Sequence, residues 1–232
     1  MSTVSPIIEA RNLHKRIDSG TREVEILRGV NLVVPRGQFV VIMGPSGSGK
    51  STLLGLLAGL DTPSEGEIFL DGQEISNLRE DEMALLRARK IGFVFQSYHL
   101  IPTLTAKENV LLPLELSGDG DHSATRVTQL FETIGLSDRA DHYPVQLSGG
   151  EQQRVALARA FVASPSVVMA DEPTGNLDTA NGHRVLEMLI NMNRREQTTL
   201  LMVTHDHELA GRADRLITLR DGRVVLDKVL TN

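Results

Sequence analysis

The hydrophobic residues of this chain fall into short, largely apolar runs separated by longer mixed stretches. Four of the runs have the length and the apolar content of buried strands. They lie at 39–43, 91–95, 167–170 and 199–204. Three mixed stretches predict helices, at 50–60, 151–163 and 180–195. Because strands alternate with helices, the pattern favours an α/β fold with a largely parallel sheet.

Two Asp-Gly dipeptides interrupt this alternation. Asp71-Gly72 and Asp221-Gly222 each lie between segments in which apolar residues alternate with polar ones. Asp and Gly tolerate the positive φ angles that two-residue hairpin turns require. The sequence therefore predicts an antiparallel hairpin at each of the two positions.

The segment from about residue 97 to residue 163 also departs from the alternation, because its pattern is mostly helical, with loops near 117–121. We interpret it as a helical insertion between two sheet-forming parts of the chain. The expected organisation is a single domain over 1–232, in which 1–96 and 164–232 form the α/β core and 97–163 forms the helical subdomain.

Composition and charge exclude several function classes. The chain has no Cys, which excludes disulfides, thiolate metal sites and cysteine nucleophiles. Its formal net charge of -6 gives no electrostatic reason to bind nucleic acid, so no nucleic-acid partner is expected. No apolar run approaches the roughly 18 residues of a membrane span, and the first residues lack the apolar core of a signal peptide. We therefore expect a cytoplasmic protein.

The strongest chemical motif directly follows the predicted strand at 39–43. It fits the phosphate-loop pattern of strand, Gly-rich turn and helix, in which backbone N–H groups and the helix dipole face phosphate oxygens. The Lys50 ammonium suits the β- and γ-phosphates of a nucleotide, and the Ser51 hydroxyl suits Mg²⁺. A plain Gly-rich turn is the alternative, which the flanking strand and helix disfavour. The motif consists of Gly44, Pro45, Ser46, Gly47, Ser48, Gly49, Lys50, Ser51 and Thr52.

Two adjacent acids, Asp171 and Glu172, end the predicted strand at 167–170. In open α/β sheets, ligands bind at the carboxyl ends of the strands. Asp171 suits contact with Mg²⁺, directly or from the second shell, and Glu172 suits a general base that polarises an attacking water. Acids after a strand also begin loops or cap helices, and this motif alone does not separate the two interpretations. The phosphate loop upstream favours the catalytic one.

The string Leu-Ser-Gly-Gly-Glu-Gln-Gln-Arg at 147–154 enters the helix predicted at 151–163. Ser148 and two glycines before a helix are typical of a second anion-binding N-terminus with free N–H groups, but a simple helix cap explains the string better when it is taken by itself. A chain with a phosphate loop needs a second anion site only if it works in pairs. With this string, the chain resembles the nucleotide-binding ATPase of an ABC transporter over essentially its whole length, with the motifs in the expected order.

This resemblance implies a fold and a set of roles. The fold is a P-loop NTPase (RecA-like) core with an antiparallel β subdomain and an inserted helical subdomain. The phosphate loop with Lys50 corresponds to Walker A, and Asp171 and Glu172 correspond to Walker B and its catalytic glutamate. Gln96 resembles the Q-loop glutamine that senses Mg²⁺ and the attacking water, and His205 resembles the switch histidine that contacts the γ-phosphate. The implied Mg²⁺ ligands are Ser51, Gln96 and Asp171.

The remaining motifs imply a second copy of the chain. Ser148, Gly149 and Gly150 resemble the signature that closes on the γ-phosphate bound by the other subunit, and Asp178 resembles the D-loop aspartate. In the family the D-loop contacts that opposite subunit. One chain carries one phosphate loop and one signature, which should not serve the same nucleotide. The resemblance therefore implies an ATP-dependent head-to-tail homodimer that buries two ATP and Mg²⁺.

One position departs from the family pattern. Family members commonly carry an aromatic residue near the first strand, where it stacks on adenine, whereas 14–17 of this chain reads His-Lys-Arg-Ile. No aromatic residue precedes Phe39, and Ile17 occupies the position of the ring. Base stacking is worth about 1–3 kcal/mol, so its loss is expected to weaken nucleotide binding by roughly 5- to 150-fold and to weaken base discrimination.

The stretch 92–110 is similar to the ATPases of lipoprotein-release, macrolide-export and YbbA-like systems, and Glu151 in place of the usual Gln also fits that group. In this subfamily the membrane partner often performs mechanical work on periplasmic substrates. Several apolar residues follow the Q-loop, where the family receives a coupling helix from its membrane subunit, and packing within the helical insertion explains them equally well. These residues are Leu100, Ile101, Pro102 and Leu104.

The resemblance implies an ATP-hydrolysing subunit that drives an integral membrane permease, for export, lipoprotein release or mechanical work. Its expected place is peripheral, on the cytoplasmic face of the inner membrane. One alternative is a soluble ABC-type ATPase of DNA repair or translation, which usually adds a coiled coil or a second ATPase. Another is a regulatory or scaffold module with negligible turnover, which Glu172 and His205 disfavour.

Overall fold

A computed structural model describes residues 6–18, 20, 22–118 and 123–230. The chain divides into two compact units, the first comprising Met1–Met83 with Thr199–Asn232 and the second comprising Ala84–Thr198. Of the loop predicted near 117–121, residues 119–121 lie outside the described residues. The division into an α/β core and a helical subdomain, with boundaries at 96/97 and 163/164, stays a prediction.

Strands and helices follow one another in a mixed order. Two short 3-10 turns, Ser137–Arg139 and Pro144–Gln146, precede the helix that carries the Ser-Gly-Gly string. In chain order the elements are β1 (Ile8–Asp18), β2 (Glu23–Val34), β3 (Phe39–Met43), α1 (Lys50–Leu57), β4 (Glu65–Leu70), β5 (Gln73–Glu74), α2 (Glu80–Lys90), β6 (Ile91–Phe95), α3 (Ala106–Ser117), α4 (Ser123–Ile134), α5 (Gly149–Phe161), β7 (Val167–Asp171), α6 (Thr179–Glu196), β8 (Thr199–Val203), α7 (His207–Ala210), β9 (Arg215–Arg220) and β10 (Arg223–Val229).

The first unit contains an antiparallel sheet in the order β2-β1-β4-β5. The long hairpin of β1 and β2 carries three register irregularities along β1, which increase its twist. Leu70 is paired with Gln73 across Asp71-Gly72, so the predicted hairpin turn is confirmed there. The φ angles of 55° and 78° at the two turn residues are those that a two-residue hairpin turn needs.

The same unit contains a set of parallel strands with β3 at its centre. β3 pairs in parallel with β8 on one side and with β9 on the other. All five residues of β3 and all five of β8 are buried, which explains why every residue of the two strands except Thr199 is apolar. β10 pairs antiparallel with β9, and Arg223 lies opposite Arg220. The hairpin predicted at Asp221-Gly222 is therefore confirmed.

The second unit packs helices against two parallel strands, β6 and β7. α5 lies close against β6, because a Cβ added at Gly92 would lie 2.1 Å from the carbonyl O of Ala160. The inner face of α5 is apolar and includes the fully buried Leu157 and Phe161. Gly92 near the start of β6 lies against Ala160, and Phe95 at its end is bonded by Gln153, so α5 runs antiparallel to β6 and begins near the carboxyl end of that strand.

Most predicted elements have nearly the predicted bounds. The strands at 39–43 and 91–95 are confirmed without change, and those at 167–170 and 199–204 are shifted by one residue at one end. The helix predicted at 50–60 ends earlier, at Leu57, because Gly59 adopts a left-handed φ of 63°. Within the described residues, no helix is long and apolar enough to cross a membrane.

Candidate functional site

The phosphate loop connects β3 to α1 in the first unit. A Cβ at Gly44, just after β3, would lie 2.0 Å from the carbonyl O of Leu219. Gly49, the N-cap of α1, has a left-handed φ of 97°. Glycine is required at both positions, because a side chain would clash at the first and be strained at the second. The backbone therefore curls tightly before α1 begins at Lys50.

Lys50 and Ser48 give the loop its chemical character. Lys50 is only 9% exposed, and its Nζ donates to the carbonyl O of Gly44 at 2.9 Å and of Pro45 at 3.0 Å. Ser48 is buried, and its Oγ has no hydrogen-bond partner among the described residues. A buried ammonium in a curled backbone, next to an unsatisfied hydroxyl, fits an anionic ligand such as a chain of phosphates. Ser51 is exposed in the first turn of α1.

His205 follows β8 at the sheet edge where the phosphate loop begins. In the parallel pair of β3 and β8, Ile42 lies opposite Val203, so Gly44 and His205 each come two residues after that pair. The N–H of Thr204 extends the pairing by donating to the carbonyl O of Ile42 at 3.3 Å. Within the first unit, the structure therefore brings the histidine and the phosphate loop to one edge.

Gln96, Asp171 and Glu172 come together at the corresponding edge of the second unit. Phe95 of β6 is paired with Asp171 of β7, so Gln96 and Glu172 are each the next residue after this pair. Asp171 and Glu172 are half-buried, whereas Gln96 is exposed. Glu172 has a φ of 44°, a left-handed conformation that costs free energy in a non-glycine residue. Its backbone is thus held in an unusual conformation at the carboxyl end of β7.

A reciprocal pair of amides holds Gln96 in place. Its Nε2 donates to Oδ1 of Asn176 at 3.1 Å, and Nδ2 of Asn176 donates to the carbonyl O of Gln96 at 3.0 Å. A Cβ at Gly175 would lie 2.7 Å from the Gln96 Nε2, so glycine makes room for this side chain. The glutamine is therefore fixed against the loop that follows Glu172.

Ser148 is the N-cap of α5 and forms a capping box with Glu151. The Ser148 N–H and hydroxyl both donate to Oε2 of Glu151 at 2.8 Å, and the Glu151 N–H donates back to the Ser148 Oγ at 3.3 Å. The expectation of free N–H groups is therefore wrong for these two residues, because the cap engages both. The hydrogen bonds from the Ser148 N–H and hydroxyl hold the pKa of Glu151 below its usual value.

Asp178 is the N-cap of α6. It accepts hydrogen bonds from the N–H of Asn181 at 3.0 Å and from the Asn181 Nδ2 at 2.6 Å, and these bonds lower the pKa of Asp178. A Cβ at Gly150 would lie 3.2 Å from the Asn181 side chain, so α5 and the start of α6 are neighbours in the second unit. A contact of Asp178 with a second copy stays a prediction.

Ile17 lies near the end of β1 and forms an exposed apolar pair. It is opposite Val24 of β2, and the two side chains are 46% and 47% exposed. Two aliphatic residues exposed side by side on a hairpin provide an apolar surface without a ring. Their place beside an adenine stays a prediction.

The backbone of the apolar segment after Gln96 is fixed from within the second unit. Asn109 of α3 is fully buried, and its side chain accepts from the N–H of Ile101 at 2.7 Å and donates to the carbonyl O of Leu104 at 3.1 Å. Ile101 and Pro102 are nevertheless exposed, while Leu100 and Leu104 are half-buried. Part of the segment thus packs inside the unit and part of it is accessible, and its coupling role stays a prediction.

Two residues of α5 that were not predicted from the sequence fix the segments after β6 and β7. Gln153 is fully buried and donates to the carbonyl O of Phe95, at the end of β6, and to that of Pro173, after the two acids. Arg159 donates to the carbonyl O of Tyr98 at 2.8 Å and of His99 at 2.6 Å. Burial lowers the pKa of Arg159. The available signal was spacing, because Gln153 comes three residues after Gly150 and four before Leu157, on the inner face of the helix.

Comparison with known proteins defines the class. A family model described as ABC transporter matches residues 27–175, which is more than half of the chain. The chain therefore belongs to the ABC transporter family. The solved dimeric structure of the ATP-binding cassette MJ0796, in a post-hydrolysis state bound to ADP and Pi, is 41% identical with a TM-score of 0.89, over 97% of this chain and 99% of that one.

Individual relatives narrow the resemblance. The chain is 53% identical to the uncharacterized ABC transporter ATP-binding protein YbbA of Escherichia coli K12, over 94% of this chain and 96% of that protein. It is 46% identical to the lipoprotein-releasing system ATP-binding protein LolD of Bordetella pertussis, over 96% of both. It is 47% identical to the macrolide export ATP-binding/permease protein MacB of Brucella melitensis, over 96% of this chain and 34% of that protein.

These findings confirm the family recognised from the motifs and the α/β fold class with its antiparallel sheet and helices. They also confirm that the chain is an ATP-binding, ATP-hydrolysing subunit of the ABC transporter family, of the type to which LolD and MacB belong.

Proposed function

We propose that two copies of this chain pair head to tail around two ATP molecules and use their hydrolysis to drive an integral membrane permease. The observation that carries the proposal is that one chain holds one phosphate loop and one signature, while a relative of 41% identity is a dimer. Each nucleotide would lie between the phosphate loop of one copy and the signature of the other.

In this proposal the first unit binds the phosphates. The curled backbone from Gly44 to Gly49 and the start of α1 present N–H groups to the phosphate oxygens. Lys50 exchanges its two carbonyl contacts, at 2.9 and 3.0 Å, for the β- and γ-phosphates. His205, at the same edge, contacts the γ-phosphate. These groups stabilise negative charge where it develops during phosphoryl transfer.

The side chains also fit Mg²⁺, because the proposed ligands are all oxygen donors, as this cation prefers. These ligands, proposed from the family's motifs, are the exposed Ser51 hydroxyl, the Gln96 amide oxygen and the Asp171 carboxylate. When bound, the ion neutralises charge on the β- and γ-phosphate oxygens.

Glu172 is the proposed general base. Its place at the carboxyl end of β7, in a left-handed backbone conformation beside Gln96, supports a role in orienting and polarising the attacking water. The signature serine of the other copy would donate to the γ-phosphate, which requires the Ser148 hydroxyl to leave the Glu151 carboxylate that it binds at 2.8 Å. Hydrolysis then removes the ligand that holds the two copies together.

The names of the relatives support a permease as the partner, since one is an ATP-binding protein of a lipoprotein-releasing system and another is a macrolide export ATP-binding/permease protein. We therefore place the chain at the cytoplasmic face of the inner membrane, bound to a permease for export, lipoprotein release or mechanical work. A soluble ATPase of repair or translation and a regulatory module are the alternatives. Co-purification with an integral membrane protein separates the permease proposal from both.

The catalytic assignment is tested by the steady-state rate of phosphate release from Glu172→Gln. Loss of a general base costs about 10²–10⁴ in rate, so turnover should fall by that factor while ATP still binds. An equal rate in wild type and variant would overturn the role of Glu172. Failure to bind ATP in either protein would overturn the phosphate-loop assignment instead.

A further inference from the structure

A buried amide in α5 bridges two distant segments of the second unit. Gln153 is 0% exposed, and its Nε2 donates to the carbonyl O of Phe95 at 3.1 Å and to that of Pro173 at 2.5 Å. The two acceptors are 58 and 20 residues away along the chain. Both hydrogens of the amide are thus used to hold the end of β6 and the loop after β7 to the same helix.

The bridge lies where the β6–β7 ladder ends. Phe95 and Asp171 form the last pair of that ladder. The carbonyl of Phe95 directly precedes Gln96, and the carbonyl of Pro173 directly follows Glu172. Gln153 therefore links β6 and the loop after β7 where the strand pairing ends. Its two acceptors adjoin Gln96 and Glu172, the residues that the proposed mechanism uses.

The backbone of Glu172 needs such support. A left-handed φ in a non-glycine residue costs on the order of 1–3 kcal/mol and persists only where the surroundings hold it. Glu172, with a φ of 44°, is held on one side by the ladder at Asp171 and on the other by Pro173, whose carbonyl is bound by Gln153. Its own carbonyl O also accepts from the N–H of Gly175 at 3.0 Å.

The amide is kept at a cost to stability. The Gln153 Oε1 is buried and has no hydrogen-bond partner among the described residues, and an unsatisfied buried acceptor is unfavourable. An apolar residue of the same length would avoid that cost but would remove the donor from the carbonyl groups of Phe95 and Pro173. The fold thus retains an amide for its two donors.

We propose that Gln153 is a positioning residue, which holds Glu172 at the proper place and direction relative to Gln96. This inference rests on the proposed function, in which Glu172 activates the attacking water. Ser148 is the N-cap of α5, and Gln153 lies within this helix. The helix would therefore present the signature to the nucleotide of the other copy and also position Glu172 of its own copy.

The test substitutes Gln153→Met, which keeps the length of the side chain and removes both donors. A misplacement of about 1 Å costs up to roughly 10²-fold, so kcat should fall roughly 10- to 100-fold. KM for ATP should stay within about twofold, because the phosphate loop belongs to the first unit and is unchanged. If Gln153→Met does not fold, Gln153→Asn takes its place. This variant keeps the amide but is one methylene shorter, so a smaller loss of kcat is expected.

A double variant separates positioning from general damage. In a Glu172→Gln background, Gln153→Met should lower kcat no further, because the group that it positions is already disabled. A structural defect unrelated to Glu172 would lower the rate of the double variant in proportion. Equal additional losses in both backgrounds would therefore overturn the inference.

Asn193→Leu is the matched control. Asn193 lies in α6 of the same unit, is 3% exposed, and donates from its Nδ2 to the carbonyl O of Thr198, without contact to Gln96 or Glu172 among the hydrogen bonds of the described residues. The Tm of Asn193→Leu should be lower than that of the wild type. Its kcat, measured at a temperature below the unfolding transitions of both proteins, should equal the wild-type value.

The outcomes distinguish the two proposals. The role of Gln153 is overturned if Gln153→Met has the wild-type kcat, or if Asn193→Leu loses as much kcat as Gln153→Met does. In either case, a Glu172→Gln variant with strongly reduced turnover still supports Glu172 as the general base. A Glu172→Gln variant with wild-type turnover overturns the base, and the positioning role with it.

Discussion

At the scale of the residue, we predict that the selectivity for the base of the nucleotide depends on Ile17. The side chain is 46% exposed and lies opposite the equally exposed Val24 on the β1–β2 hairpin. An aliphatic pair gives a base apolar contact but no stacked ring. We therefore expect wild-type protein to hydrolyse ATP and GTP at comparable rates.

Replacing Ile17 by Tyr should restore the stack. The affinity for ATP is expected to rise by roughly 5- to 150-fold, as measured by titration calorimetry. Val33→Tyr is the control. Val33 is 47% exposed and lies on β2, as Val24 does, but at the other end of the β1–β2 hairpin. Unchanged affinity in Ile17→Tyr, or a strong preference of the wild type for ATP, would contradict the assignment of this position.

At the scale of the element, two helices begin with the same capping box. Thr105 with Glu108 starts α3, and Ser148 with Glu151 starts α5. In both boxes the hydrogen bond from the backbone N–H of the cap residue lowers the pKa of the glutamate most, and the hydrogen bond from its hydroxyl lowers it further. The two caps are therefore alike in structure, and the proposed contact with ATP distinguishes them.

Removing either cap hydroxyl should destabilise the fold, but only one of them should affect turnover. Ser148→Ala is expected to lower the free energy of unfolding by about 1 kcal/mol in urea titrations, with Thr105→Ala as its counterpart. ATPase activity should fall in Ser148→Ala alone. Equal effects on activity would show that the serine acts only as a cap.

The lowered pKa of Glu151 gives the same cap a pH dependence. A carboxylate whose native pKa lies below the ordinary value of about 4.3 stabilises the fold above that pH, and this contribution is lost as pH falls through the native pKa. The stability of wild type relative to Glu151→Gln should therefore decline between about pH 5 and pH 2. A difference that stays constant over this range in urea titrations would contradict the cap assignment.

The sequence predicts elements well where burial is complete and poorly where strands are irregular. β3 and β8 are buried on both faces, so their apolar runs mark them clearly. β1 was not located, because its register shifts break the alternation of apolar and polar residues. The helix after Lys50 was predicted too long, since the left-handed Gly59 that ends it leaves no mark in the hydrophobic pattern.

The site divides in the same way. The phosphate loop and the Ser148 cap are local, and their residues are adjacent in sequence, so their motifs can be predicted. The spacing of Gln153 along α5 predicts that it is buried, but its hydrogen-bond partners are 58 and 20 residues away, and no local pattern identifies them. The engagement of Ser148 by Glu151 is local as well, because Ser-x-x-Glu before a helix is the sequence pattern of a capping box.

At the scale of the whole molecule, the proposed mechanism requires two copies of the chain. Neither the phosphate loop nor the signature is duplicated in 232 residues, so a site that uses both in the head-to-tail manner needs a second chain. Glu172→Gln should slow hydrolysis without removing the ligands of ATP, and so the closed pair should persist.

The most direct test is light scattering of purified Glu172→Gln with and without ATP and Mg²⁺. The account predicts a shift from a mass of 25.4 kDa to twice that value on addition of nucleotide, and no shift when Ser148→Arg is added to the same chain. A Glu172→Gln variant that stays at 25.4 kDa in saturating ATP and Mg²⁺, or a pair that forms equally well with Ser148→Arg, would contradict it.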